Sequence, residues 1–154
     1  MKKLKLFGSA FLTLAFMAFS FGFDAEAATP TWNTTGSYVI NMEYLGTQYP
    51  SDMTLSQDGL GNLTGNGGSP AGANTYTWVL TSGSVSGNTI DFLANYTATV
   101  DAVIPQTVLH VIGTIANDGT ISGTWSDNYQ GGSRSGAVST VSGSASALGT
   151  LAAE

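Results

Sequence analysis

Residues 107–127 read TVLHVIGTIANDGTISGTWSD, two alternating runs joined by Asn117-Asp118-Gly119. Apolar residues at every second position, with a turn rich in residues that tolerate left-handed backbone, predict a β-hairpin. Leu109, Val111, Gly113 and Ile115 share one face of the first strand, and Ile121, Gly123 and Trp125 share one face of the second. The two glycines are expected to leave space for the tryptophan.

The same grammar runs outward in both directions. Tyr38, Ile40, Met42 and Tyr44 alternate with mostly polar neighbours, which makes a first strand with one apolar face. Gly46 and Pro50 interrupt the chain before Met53 and Leu55, and Asp58-Gly59 turns it towards a weak third strand around Leu63. Residues 66–74 (NGGSPAGAN) have the composition of a loop. A fourth strand carries Tyr76, Trp78 and Leu80 inward, and Gly87-Asn88 turns it into a fifth with Ile90, Phe92, Ala94 and Tyr96. A linker at 97–105 ends in a proline, the opening hairpin supplies strands six and seven, and a glycine-rich loop at 129–136 leads to strand eight at about 137–144 with Val138 inward.

The ends have a different character. Lys2, Lys3 and Lys5 precede a nearly unbroken apolar run from Leu6 to Phe23, and Ala25-Glu26-Ala27 offers small residues where signal peptidase cuts. Residues 1–27 are therefore expected to be a cleaved signal peptide, with 28–36 a lead-in, 37–144 the β-domain and 145–154 a flexible tail. Cleavage leaves Arg134 as the lone Lys or Arg against eight acids, a net charge of −7. One cation cannot neutralise a phosphate backbone or hold an anionic membrane, so nucleic-acid and membrane partners are not expected. The chain has no cysteine, and with it no disulfide, no thiol nucleophile and no site for acylation. An exported protein of this kind is expected in the periplasm or outside a bacterial cell.

Eight short strands in sequence order, with no helical period between them, predict an all-β fold: an eight-stranded antiparallel up-and-down β-barrel. Closure leaves no bare edge to pair with other chains. The outward positions are Thr, Ser, Asn and Asp, where a barrel spanning a membrane would need apolar residues. The phrase Gly119–Trp125 (GTISGTW), echoed by Asp58–Gly65 (DGLGNLTG), resembles the G-x-[apolar]-x-G-x-[aromatic] strands of avidin-like and other lipocalin-type meander barrels. Val138 stands where that phrase would place an aromatic in the last strand. The resemblance implies the fold, and does not carry a ligand with it.

Catalytic chemistry has little to build on. His110 is the single histidine and alternates away from the inward residues, so it is expected to face solvent. Asp52, Asp91 and Asp127 are the carboxylates to weigh for paired acid–base work, and the two strand aspartates fall on expected outer faces. Asp118 and Asp127 lack the spacing of a calcium loop. The expectation is a non-enzymatic protein with no catalytic residue, metal or cofactor. Tyr38, Tyr44, Tyr76, Trp78, Tyr96 and Trp125 are the candidate ligand-binding residues, since tyrosine and tryptophan combine apolar area with a polar atom that needs a partner when buried. They would line an internal pocket for a small apolar or aromatic molecule. The alternative is a surface or extracellular structural module with a solid core, binding a glycan or another protein through its loops.

Overall fold

Period-two alternation buries one side of each strand, and in a computed structural model eight such strands close on themselves. The described residues are 29–70, 76–98 and 107–149; the expected signal peptide and most of the 97–105 linker lie outside them. In chain order the strands are β1 (Trp32–Asn33), β2 (Gly36–Tyr44), β3 (Thr47–Gln57), β4 (Leu63–Gly68), β5 (Thr77–Ser86), β6 (Thr89–Ala98), β7 (Val108–Ile115), β8 (Ile121–Asp127), β9 (Arg134–Ser142) and β10 (Ser146–Ala147). Strands β2 to β9 form the barrel, each antiparallel to the next, and β9 returns to pair with β2. The expected eight-stranded up-and-down barrel is the fold.

The interior follows the alternation. Tyr38, Ile40 and Met42 of β2, Ile90, Phe92, Ala94 and Tyr96 of β6, and Leu109, Val111 and Ile115 of β7 are all buried. Tyr44, Tyr76 and Leu80 are partly buried and pack against this core. The opening hairpin has the expected register, with Gly113 opposite Gly123 and Ile115 opposite Ile121.

Four local details differ from the sequence expectation. The first turn is Leu45-Gly46, and β3 already begins at Thr47, so Pro50 lies within a strand opposite Asn41. It is tolerated because β4 pairs with β3 no further than Asp52, leaving Pro50 on a stretch bonded on one side. Asn66–Gly68 is strand rather than loop, paired with Asp52–Thr54 and with Thr77–Val79. The Ser- and Gly-rich stretch after Leu80 continues the strand as expected, but with a bulge that shifts the register between Leu80 and Ser82. The bulge reverses the inward parity, so Val85 is buried where simple alternation from Trp78 would turn it outward.

The fourth difference explains the glycines. A side chain at Gly123 would strike the neighbouring backbone, 2.0 Å from the Ile112 carbonyl oxygen, and not Trp125. The glycine that accommodates Trp125 is Gly136, directly opposite it on β9. Two further rings lie in the same way across a glycine of the next strand: Trp78 across Gly67, and Phe92 across Gly83. A Cβ on Gly67 would come 2.2 Å from Trp78 Cζ2, and one on Gly83 would come 2.7 Å from Phe92 Cβ. The ring fills the volume that a facing side chain would take, which is how a narrow barrel holds large aromatics at crystal-like density.

The two ends of the barrel are unlike. At one end the Asp58–Asn62, Gly87-Asn88 and Ala116–Thr120 turns meet residues 29–35 and 143–148. There β1 pairs with β10, bringing Trp32 opposite Ala147 and Asn33 opposite Ser146, so the segment after 144 contributes a strand. Gln57 ties this cap to the barrel: its Oε1 accepts from Thr34 N at 2.9 Å and Thr34 Oγ1 at 2.8 Å, and its Nε2 donates to Trp32 O at 2.8 Å. Trp32 packs onto the core from this side. The opposite end carries the Leu45-Gly46 turn and residues 128–133, and there β4 and β6 end and β5 and β7 begin.

Candidate functional site

Strand direction decides which inward side chains meet at the end opposite the β1–β10 pair. β2 ends there with Tyr44, β8 ends there with Trp125 and Asp127, and β9 begins there with Arg134. β5 contributes Trp78, preceded by Tyr76, and β6 contributes Tyr96, the cross-strand partner of Trp78. Five of the six candidate residues are thus gathered at one end. Tyr38 is not among them, because it lies near the start of β2 and spends its hydroxyl on Thr34 O at the capped end, 2.8 Å away.

The centre of this end is a carboxylate. Asp127 continues the inward parity of Ile121, Gly123 and Trp125, and its side chain is fully buried. Arg134 faces it in register across the β8–β9 seam. The guanidinium makes a bidentate pair, with Nε donating to Oδ1 at 2.9 Å and Nη2 donating to Oδ2. Tyr96 Oη donates to Oδ2 at 3.2 Å, and the Tyr129 backbone N–H donates to Oδ1 at 3.2 Å. Four donors therefore satisfy both oxygens, as a buried charge requires. The Asp127–Arg134 pair is legible in the sequence only as a parity, since Asp127 falls in step with Trp125 and Arg134, the one Lys or Arg among the described residues, lies seven residues on.

Aromatic rings surround the pair. The Arg134 guanidinium lies 4.2 Å from the Tyr129 ring centroid, 5.8 Å from that of Tyr44 and 6.0 Å from that of Trp125, all within cation–π range. Tyr44 and Trp125 meet edge to face at 6.0 Å. Tyr76 and Tyr96 lie 6.1 Å apart at a tilt of 57°, and Trp78 stacks on Phe92 at 5.9 Å. Most of the polar handles are engaged: Trp125 Nε1 donates to Glu43 O at 2.9 Å, and Tyr76 Oη is bonded to Ser51 Oγ.

Burial and the neighbouring Asp127 charge raise the Tyr96 hydroxyl pKa well above its ordinary value of 10.0. Burial also raises Tyr38 and Tyr76. For Arg134 burial alone would lower the pKa, but the hydrogen bonds and charge of Asp127 outweigh it and the net shift is upward. A tyrosine whose folded pKa is raised keeps its proton in the native state while the unfolded chain loses it. Its contribution is complete below the ordinary value of 10.0 and is lost as pH rises from there towards the folded value. The urea midpoint should therefore hold from pH 7 to 9 and fall between 10 and 12, and Tyr96→Phe should flatten part of that fall. An unchanged slope in the variant would show that Tyr96 is not the group responsible.

This end offers little for catalysis, since Asp127 and Arg134 neutralise each other. The other acid–base candidates are elsewhere. Asp52 on β3 and Asp91 on β6 point outward and are separated by β4 and β5, so the barrel does not bring them together. His110 Nε2 lies 2.8 Å from Asp91 Oδ1 on the outer face, both side chains more than a third exposed. They border a shallow groove of about 390 Å³ beside the β5 bulge, with Ser82, Ser84 and Leu93. Among the described residues no three His, Asp or Glu side chains cluster in a way that would hold a metal ion. The chain matches no family model, and neither a curated protein nor a solved structure is detectably similar to it.

Proposed function

We propose that the chain is an exported, non-enzymatic binding protein that holds a small apolar or aromatic molecule at the aromatic end of its barrel, opposite the β1–β10 pair. The observation that carries this is the asymmetry of the two ends. One is plugged by Trp32 and the β1–β10 pair, while Tyr44, Tyr76, Trp78, Tyr96 and Trp125 converge on the other around a neutralised ion pair. Aromatic walls with a few oriented polar groups are what small-molecule sites use.

A solid-core interaction module is the second reading, favoured by a specific feature. Trp78, Phe92 and Trp125 fill the space opposite Gly67, Gly83 and Gly136, so the depth of the barrel is occupied by side chains. A ligand would therefore be seated near the aromatic end and not along the axis. Titration with a neutral fluorescent aromatic such as N-phenyl-1-naphthylamine tests the proposal. Tryptophan emission should change saturably, and Trp78→Leu should weaken the response by about tenfold while leaving the fold intact. No saturable response across a panel of neutral aromatics would exclude the binding barrel and leave the interaction module.

A further inference from the structure

The seams of the barrel are unequally fastened. β5 pairs with β6 at nine positions on one side, and with β4 at three on the other, where Asn66, Gly67 and Gly68 lie opposite Val79, Trp78 and Thr77. Just beyond these, Ser69 N donates to Tyr76 O at 2.9 Å and Tyr76 N donates to Ser69 Oγ at 3.1 Å. The next fastening lies towards the capped end, where Asn62 is opposite Ser84 and Val85 N donates to Gly61 O at 2.8 Å. Between the two, residues 63–65 and 80–83 form no cross-strand pair with each other, since the bulge in β5 sets four residues against three. The β2–β9 seam has four pairs, but they run together across one bulge with no unpaired stretch between them.

Side chains add little along the gap. β4 turns Leu63, Gly65 and Gly67 inward, opposite Gln57, Leu55 and Met53 of β3, so one buried apolar side chain anchors a six-residue strand. What closes the seam sits at its aromatic end: the Trp78 ring lies over Gly67, and Tyr76 Oη reaches past β4 to Ser51 Oγ of β3.

We infer that the barrel wall opens at the β4–β5 seam, from the aromatic end down to the Asn62–Ser84 bridge, and that this opening gates the entry of a molecule to that end. The gate rests on the binding function proposed above; the opening does not. Local opening selects the element with the fewest buried apolar side chains and cross-strand bonds. Releasing the pairs from Asn66 to Ser69 joins the gap to the barrel end. β4 stays bonded to β3 through six pairs and β5 to β6 through nine, so each side of the opening moves as an intact hairpin. Tyr76 and Trp78 both close the seam and belong to the proposed site, so seam and site open together.

Hydrogen exchange on the full mature chain tests the opening without any variant. Alternate amides of a strand point to opposite neighbours, so those of β5 in step with Tyr76 N face β4 and those between face β6. The β4-facing amides should exchange at least about tenfold faster than the β6-facing ones. The chain has no cysteine, and Asn66 and Val79 are exposed and directly opposite, so Asn66→Cys with Val79→Cys places a single disulfide across the seam. Oxidation should slow association of N-phenyl-1-naphthylamine about tenfold and change its affinity less than about twofold, with reduction restoring the rate. A disulfide across β8–β9, from Ser122→Cys with Ser139→Cys, should leave association unchanged. Ser51→Ala, which removes the Tyr76 partner, should speed both exchange and association. Equal exchange on the two sides of β5 would overturn the opening. Early exchange towards β4, with association indifferent to the disulfide, would overturn the gate and leave the opening wall. No binding of the probe would remove the function and the gate with it, while the exchange pattern still decides the wall.

Discussion

Gly136→Ala should destabilise the barrel by about 3 kcal/mol or more, a large effect for the addition of one methyl group. The new Cβ would lie 1.7 Å from the Glu43 carbonyl oxygen and 2.9 Å from Trp125 Nε1. Neither neighbour yields cheaply. The Glu43 carbonyl is backbone of β2, where Glu43 pairs with Gln48 of β3 next to Met42, the last β2 residue paired with β9, and the same carbonyl accepts the Trp125 indole hydrogen bond. In an open sheet two strands spread locally, but in a closed barrel moving β9 from β2 also strains the β8–β9 pairing. Steric displacement and the loss of a part-buried hydrogen bond therefore add. Urea denaturation of the variant measures the cost, and a midpoint within error of the parent would show that Trp125 does not lie across Gly136. Gly59→Ala, with open space around the Cβ, serves as the control.

Arg134→Met should cost about 3 kcal/mol, and Asp127→Asn markedly less, although each breaks the same ion pair. The difference lies in what is left behind. The Asp127 side chain is fully buried and keeps only the Tyr96 hydroxyl and the Tyr129 N–H once the guanidinium is gone. The Arg134 side chain is 30 % exposed and can turn its charge to water when Asp127 is neutralised. The double variant Arg134→Met with Asp127→Leu removes both charges and should recover much of the loss, since replacing a buried pair with apolar residues is often close to neutral. Equal costs for the two single variants, adding in the double, would mean that the pair contributes through solvent-exposed contacts alone.

The fold was legible where a strand keeps one parity from end to end. Strands β6 and β7 carry four inward residues each in unbroken alternation, and an NDG turn defines the hairpin, so class, closure and core follow from local rules. Legibility failed where a glycine serves a neighbour instead of its own backbone. Gly67 reads as loop by composition, and only the indole of Trp78, eleven residues on, explains why a strand needs it. The bulge after Leu80 leaves no sign in a run of Ser and Gly, and it is what brings Val85 inside. At the site the aromatic members were readable from alternation, but their division between two ends depends on strand direction, which removed Tyr38 from the group. From the sequence Asp127 reads as an acid beside a loop. Its inward position follows from parity with Trp125, but its pairing with Arg134 is a cross-strand contact that spacing alone does not reveal.

The β1–β10 pair sets the first and last described strands side by side, with Trp32 opposite Ala147. In engineering terms the barrel is a cup whose handle is at the base. Anything joined directly before residue 29 or after residue 149, whether a display anchor, a second domain or a solid support, attaches at the capped end and leaves the aromatic end pointing away. The same adjacency makes the chain a candidate for circular permutation. A few residues joining 149 directly to 29 would link the ends of the described barrel, and new termini opened at Leu45-Gly46 would fall on an exposed turn.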